Sequence, residues 1–110
     1  MKISDEQIEE FNSTGFLIIR DLYNADRMQE IIKWTEEVTN YPEVPGKYMM
    51  YFEESKLSSV DRILSRMEDI EPFHQGFSNI FMRGEIQQIT SQFFNDEAIL
   101  FKDKINFKMP

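Results

Sequence analysis

Residues 98–110 read AILFKDKINFKMP, and this stretch decides the class of fold. Apolar and polar side chains alternate along it, and such a period of two predicts a β-strand. The apolar side carries Phe101, Ile105, Phe107 and Met109, and the polar side carries Lys102, Lys104, Asn106 and Lys108. We therefore expect a strand with one cationic face and an unpaired edge, through which copies of the chain could associate.

The cationic face of this strand has two interpretations. In a chain with a net charge of −8, three lysines and an asparagine that project together would attract a small anion such as a carboxylate. Alternatively, the strand is an ordinary solvent-facing one, and its lysines guard an exposed edge against unwanted pairing. The alternation alone favours the second interpretation.

Helices are predicted on both sides of the middle of the chain. Ser4 and Gln7 form a capping-box pattern, and Gly15 marks the end of that first helix. Asn24 can cap a second helix that ends before Pro42. Its apolar face is expected to consist of Met28, Ile31, Ile32 and Val38.

The remaining segments complete a mixed pattern. Strands are predicted at 16–19 and 47–52, a loop around 42–46, and helices at 70–84 and 86–95, whereas 59–69 fits a helix or a strand equally well. The predicted fold class is α+β. At 110 residues the chain is one domain at most.

Composition excludes several classes of function. Twelve basic residues against 20 acidic ones disfavour binding to nucleic acid or to anionic membranes. The sequence has no cysteine, so a thiolate metal site or a thiol nucleophile cannot be built. No apolar run fits a signal peptide or a membrane span, and we therefore expect a cytoplasmic protein.

No residue pattern predicts a catalytic centre or a metal site in this chain. There is one histidine, His74, whereas an iron site of two histidines and a carboxylate needs two. His74 is interpreted as a partly exposed polar residue beside Phe73. The acidic pairs, such as Glu9-Glu10 and Glu36-Glu37, are interpreted as solvated helix faces.

Three segments give the chain a resemblance to a known family. The stretches EQIEEFNSTGFLIIRDLY (6–23), SRMEDIEPF (65–73) and LFKDKINFKMP (100–110) are similar to the amino-terminal portion of the phytanoyl-CoA dioxygenase family. The resemblance implies an enzyme that uses Fe(II) and 2-oxoglutarate to hydroxylate an organic substrate. It also implies a double-stranded β-helix, or jelly roll, of which this chain holds the outer helices and first strands as an incomplete barrel.

The resemblance also implies residues that contact 2-oxoglutarate. Arg66 matches a basic residue of the family that approaches this cosubstrate, and Lys104 matches a second contact on the closing strand, although the family often has an apolar residue there. Asn106 and Lys108 share the face of Lys104 and are the next candidates. For Arg66, a surface salt bridge is the alternative.

Two hypotheses follow for the function. In the first, residues 1–110 are a single partial domain truncated before the iron-binding motif, so the chain alone binds neither Fe(II) nor 2-oxoglutarate tightly and has no activity. The full-length parent then acts on a small-molecule substrate that this sequence does not identify. In the second, the chain is a self-contained acidic module that binds a partner protein through exposed Met and Phe side chains.

Overall fold

The computed structural model describes residues 1–54 and 62–108 as four α-helices and a small antiparallel sheet. The helices are α1 (Asp5–Thr14), α2 (Ala25–Thr39), α3 (Gln75–Arg83) and α4 (Glu85–Phe94). The strands are β1 (Met49–Glu54), β2 (Arg62–Glu68) and β3 (Lys104–Asn106), in the order β1-β2-β3. The α+β fold class is therefore confirmed. No described helix has the length and apolar character needed to cross a bilayer.

Local capping signals place three of the helices as predicted. The Ser4 hydroxyl accepts from the Gln7 N–H, and the Gln7 amide oxygen accepts from the Ser4 N–H, which completes the capping box of α1. Asn24 caps α2 through the Arg27 N–H. Helix α4 ends at Asn95, whose left-handed backbone supplies the predicted stop.

The predicted helix at 70–84 is divided in two. A short 3₁₀ turn covers Glu71–Phe73, and α3 begins only after His74, whose ring nitrogen Nδ1 accepts from the Phe77 N–H. His74 thus acts as the N-cap residue of α3. The residue is of intermediate burial, with a side chain 9% exposed, which agrees with the interpretation of a partly exposed polar residue, whereas its capping role was not predicted.

The core lies where α2 and α3 meet one face of the sheet. The cluster consists of Val38, Tyr48, Met67, Ile70 and Phe77. Met67 pairs with Met50 on β1 and with Ile105 on β3, so the side chains of all three strands at this position face the helices. The predicted apolar face of α2 was partly wrong, because Met28 and Ile32 are exposed while Trp34 packs against the core.

Two predicted strands differ from the structure. Residues 16–19 form neither a helix nor a strand, and Phe16 and Ile18 are exposed. The closing strand is limited to Lys104–Asn106, because Asp103 is drawn into the protein, where its carboxylate accepts from the backbone N–H groups of Ile70 and Glu71. Phe101 is 99% exposed instead of sharing the buried side of Ile105. Met109 lies outside the described residues.

The ambiguous segment 59–69 becomes a strand over its described part. Residues 62–68 form β2, which pairs on both sides, with β1 and with β3. Backbone hydrogen bonds to two neighbours stabilise the extended form: β1 is the preceding strand along the chain, whereas β3 follows only after α3 and α4. Residues 59–61 lie outside the described residues.

Candidate functional site: the cationic face of the sheet

The sheet brings three of the four predicted site residues together. Arg66 on β2 pairs directly with Asn106 on β3, and Glu68, two residues along, pairs with Lys104. Because side chains alternate between the faces of a sheet, all four lie on the face opposite Met67 and the core. Tyr51, the β1 partner of Arg66, joins them. We call this set of five residues the cationic face.

Lys108 lies beyond the paired strand. The backbone N–H of Phe107 donates to Ser65 O at 2.8 Å, which is the last contact of β3 with β2 in the described chain. Lys108 follows this contact and is exposed, as are Lys104 and Asn106. The structure thus brings Lys104 and Asn106 to Arg66 and leaves Lys108 at the end of the strand.

Arg66 is held by aromatic and electrostatic contacts. Its guanidinium carbon lies 4.1 Å from the centroid of the Tyr51 ring, a cation–π geometry. Its Nε lies 3.8 Å from Glu68 Oε2, which is beyond hydrogen-bond distance. Nε is also buried, with no hydrogen-bond partner among the described residues. The ion pair between Arg66 and Glu68 is therefore loose.

Glu68 is the charged member of the cationic face that the sequence analysis missed. Its side chain is 6% exposed, and its Oε1 lies 2.6 Å from Lys102 Nζ. The hydrogen bond from Lys102, with a smaller effect of the Tyr51 hydroxyl, holds the pKa of Glu68 below its ordinary value, against the opposing effect of burial. The carboxylate is therefore ionised at neutral pH and offsets one of the positive charges around it.

A pattern in the sequence could have indicated that Arg66 and Glu68 lie on the same face. Arg66 and Glu68 are two residues apart in SRMEDIEPF, so a strand there would place them on one face. The segment was left open between helix and strand, and a helix would have separated them by 200° around its axis. The missing information was thus the pairing of β2.

The described residues do not form a metal site. No group of three His, Cys, Asp or Glu side chains within residues 1–54 and 62–108 is arranged to hold an ion. His74 is engaged at both nitrogens, since Nδ1 accepts from Phe77 and Nε2 lies 2.8 Å from Glu37 Oε2. The residues present therefore do not fit an iron centre, and no catalytic step is assigned to this chain alone.

A cleft of about 360 Å³ adjoins the cationic face at Glu68. Its apolar walls include Met49, Met82 and Phe101. Besides Lys102, its polar walls are acidic and consist of Glu68, Asp69, Glu71 and Asp103.

The chain is similar along nearly its whole length to two enzymes with curated names. It is 35% identical over 107 residues to a 2-aminoethylphosphonate dioxygenase of an uncultured bacterium, and 31% identical over 108 residues to a methylphosphonate hydroxylase of Gimesia maris. These alignments cover 97% and 98% of this chain, but it spans only 40% of the length of each relative. No family model matches the sequence. No solved structure matches it either.

These similarities support the broader part of the resemblance drawn from the sequence. Both relatives are named as a dioxygenase or a hydroxylase, so a relationship to that class of oxidoreductase is supported. The names do not specify the phytanoyl-CoA dioxygenase family. They also do not specify iron or 2-oxoglutarate.

Proposed function

We propose that this chain is the amino-terminal portion of an Fe(II)- and 2-oxoglutarate-dependent oxygenase that hydroxylates an organophosphonate. The observation that carries the proposal is the similarity to two enzymes that are both named for phosphonates. One name has an aminoethyl substituent and the other a methyl group, so the phosphonate is the feature their substrates share. The jelly-roll fold and the cytoplasmic location belong to the same proposal.

The cationic face supplies the cosubstrate-binding part of this proposal. Arg66 and Lys104 are cations on one face of the sheet, Asn106 adds an amide, and the face is open to solvent. A guanidinium binds a carboxylate well because its N–H groups match the two oxygens. We assign these residues, with Lys108 at the strand end, to 2-oxoglutarate, which carries two carboxylates.

The iron would be held outside this chain. Since the described residues do not fit a metal site, the ligands would come from the part of the parent enzyme that corresponds to the rest of the relatives' length. When bound there, iron would supply the activation of dioxygen. The present chain would contribute helices, the first strands and one side of the cosubstrate pocket.

An assay of the complete protein tests the proposed reaction. With Fe(II), 2-oxoglutarate, oxygen and either methylphosphonate or 2-aminoethylphosphonate, we expect succinate and a hydroxylated phosphonate in equal amounts, measured by chromatography and ³¹P NMR. Acetate and β-alanine, in which a carboxylate replaces the phosphonate, are the matched controls. Succinate formation that no phosphonate stimulates would exclude the substrate class, and no iron-dependent succinate at all would exclude the oxygenase.

Arg66→Ala tests the cosubstrate assignment in the complete protein. A hydrogen bond to a charged group contributes about 1.5–3 kcal/mol, so we expect the KM for 2-oxoglutarate to rise by about 10- to 100-fold. The KM for the phosphonate should change little. Arg62→Ala is the matched control, because Arg62 lies on the same strand but pairs with Glu43 at the surface. An unchanged KM for 2-oxoglutarate in the Arg66 variant would refute the assignment.

The second hypothesis, a self-contained interaction module, keeps one observation in its favour. Ile99 and Phe101 are 85% and 99% exposed, and large apolar side chains so exposed are typical of a binding surface. The sequence of the coding region beyond the codon for Pro110 distinguishes the two hypotheses. A continuing reading frame that encodes a glycine-rich stretch and His-x-Asp favours the oxygenase, and a stop codon favours the module.

A further inference from the structure

Glu68, the last residue of β2, is the anionic member of the cationic face. We infer that Glu68 is a positioning residue, which holds Lys102 and orients the guanidinium of Arg66 for a bound carboxylate. This inference rests on the proposed function, because it assumes that Arg66 binds 2-oxoglutarate. It adds a residue that neither the resemblance nor the relatives' names assign.

The contact with Lys102 engages one oxygen of the Glu68 carboxylate. Its Oε1 lies 2.6 Å from Nζ of Lys102, and the side chain of Glu68 is 6% exposed against 56% for the lysine. A shielded carboxylate with a close cationic partner stays ionised and has little freedom to rotate. Glu68 is thus a shielded carboxylate with one oxygen engaged by Lys102.

The second oxygen of Glu68 faces Arg66. Oε2 lies 3.8 Å from Nε of Arg66, and Nε is buried without a hydrogen-bond partner among the described residues. The side chain of Arg66 is nevertheless 42% exposed, so its exposed area belongs to atoms other than Nε. With the Tyr51 ring against the guanidinium, Arg66 is therefore constrained from two sides and keeps an exposed part for a ligand.

Lys102 keeps the Arg66 pair loose. Because Oε1 is already bound at 2.6 Å, the carboxylate is not drawn fully onto Arg66, and the 3.8 Å separation leaves the guanidinium free to bind another anion. A bidentate pair like that between Glu43 and Arg62, with distances of 3.0 and 3.2 Å, would occupy the donors of the arginine. Both arginines lie on β2, but the donors of Arg62 are occupied by Glu43, whereas those of Arg66 are left for a ligand.

A purely electrostatic role and a positioning role of Glu68 predict opposite effects of Glu68→Gln on the affinity for 2-oxoglutarate. The substitution removes a negative charge beside Arg66, so electrostatics alone would strengthen the binding of an anion. If Glu68 positions Arg66 and Lys102, the same substitution releases both cations and weakens binding, because their ordering is then left to the ligand. The sign of the change in affinity therefore decides between the two effects.

The test measures equilibrium binding of 2-oxoglutarate to the complete protein by calorimetry in the absence of oxygen. We expect Glu68→Gln to weaken binding by about 5- to 10-fold, the loss of roughly one oriented contact. Glu43→Gln is the matched control, since it removes the same charge from a carboxylate paired with Arg62, and it should leave binding unchanged. The ¹H–¹⁵N resonance of Arg66 Nε should shift in the Glu68 variant and not in the control.

Glu68→Asp provides a second variant should Glu68→Gln fail to fold. It retains the charge and shortens the side chain, so a positioning role predicts a smaller but measurable loss of affinity, whereas a purely electrostatic role predicts none. Unchanged or tighter binding in the Glu68 variants, with binding lost in Arg66→Ala, would overturn this inference and leave the proposed function intact. Unchanged binding in Arg66→Ala would instead refute the cosubstrate assignment, and this inference with it.

Discussion

At the scale of single residues, Gly76 on α3 lies directly against the ring of Trp34 on α2. A Cβ added at Gly76 would lie 2.5–2.8 Å from three atoms of the Trp34 ring, which is nearer than non-bonded carbon atoms approach each other. The indole of Trp34 therefore occupies the space that the side chain of any residue other than glycine would need at position 76. This contact sets the separation of the two helices that cover the sheet.

Gly76→Ala should destabilise the protein although alanine is the better helix former. The inserted methyl group overpacks the contact with Trp34, at a cost of about 1–3 kcal/mol, while the gain in helix propensity is about 1 kcal/mol or less. Urea unfolding measures the net change in the free energy of unfolding. Trp34→Phe in the same background should recover part of the loss, because a smaller ring leaves room for the methyl group. Additive effects of the two substitutions would contradict the proposed clash.

At the scale of secondary-structure elements, His74 joins α2 to α3. Its Nδ1 accepts from the backbone N–H of Phe77, which assigns the ring proton to Nε2, and Nε2 donates to Glu37 on α2 at 2.8 Å. The ring also lies against Trp34 and Phe77. One side chain therefore ends the 3₁₀ turn, begins α3 and fixes that helix to α2.

Two substitutions separate the capping role of His74 from its link to α2. His74→Ala removes both and should lower the free energy of unfolding by about 1–3 kcal/mol, the combined scale of an N-cap and a hydrogen bond to a carboxylate. His74→Asn retains a good capping oxygen but does not reach Glu37, so it should recover about half of the loss. Thermal and urea unfolding measure the two variants. Equal destabilisation by Ala and Asn would show that the cap contributes nothing.

At the scale of the whole molecule, the chain exposes more surface than a closed domain of its size. Its accessible area is 8453 Å², whereas a compact monomer of 13.2 kDa exposes about 6,400 Å². The radius of gyration is 16.8 Å, against about 13 Å for a compact domain of 100 residues. Both values agree with the proposal that further chain covers part of this surface in the parent enzyme.

The extended segments on that surface provide a test at this scale. Phe16 and Ile18 precede α2, and Ile99 and Phe101 precede β3, all four with large apolar side chains exposed. If further chain covers the second pair, Ile99→Ser with Phe101→Ser should make residues 1–110 more soluble and less self-associating, yet destabilise the complete protein by about 2–4 kcal/mol. Sedimentation and thermal unfolding measure these effects. A complete protein of unchanged stability would show that the two side chains remain exposed there.

Much of the candidate site could be predicted from the sequence, and the missing part has a definite cause. Arg66, Lys104 and Asn106 were chosen from a resemblance and an alternating pattern, and the register of β2 with β3 places them side by side. Whether they bind 2-oxoglutarate is still a prediction. Glu68 was missed because the cation that pairs with its carboxylate, Lys102, is 34 positions away in the sequence. Nothing near Glu68 in the sequence indicates that its side chain is buried and paired.

The sequence by itself determined helices α1, α2 and α4, whereas the tertiary structure decided which of the extended segments pair as strands. Helix α1 with its capping box and α4 with its stop at Asn95 depend on hydrogen bonds between residues at most a few positions apart, so short stretches contain all the information. The run 16–19 looked like a strand and pairs with nothing described, while 62–68 was ambiguous and became the central strand. A strand is stabilised by hydrogen bonds to a distant segment, and which segment lies beside it is settled only when the whole chain has folded.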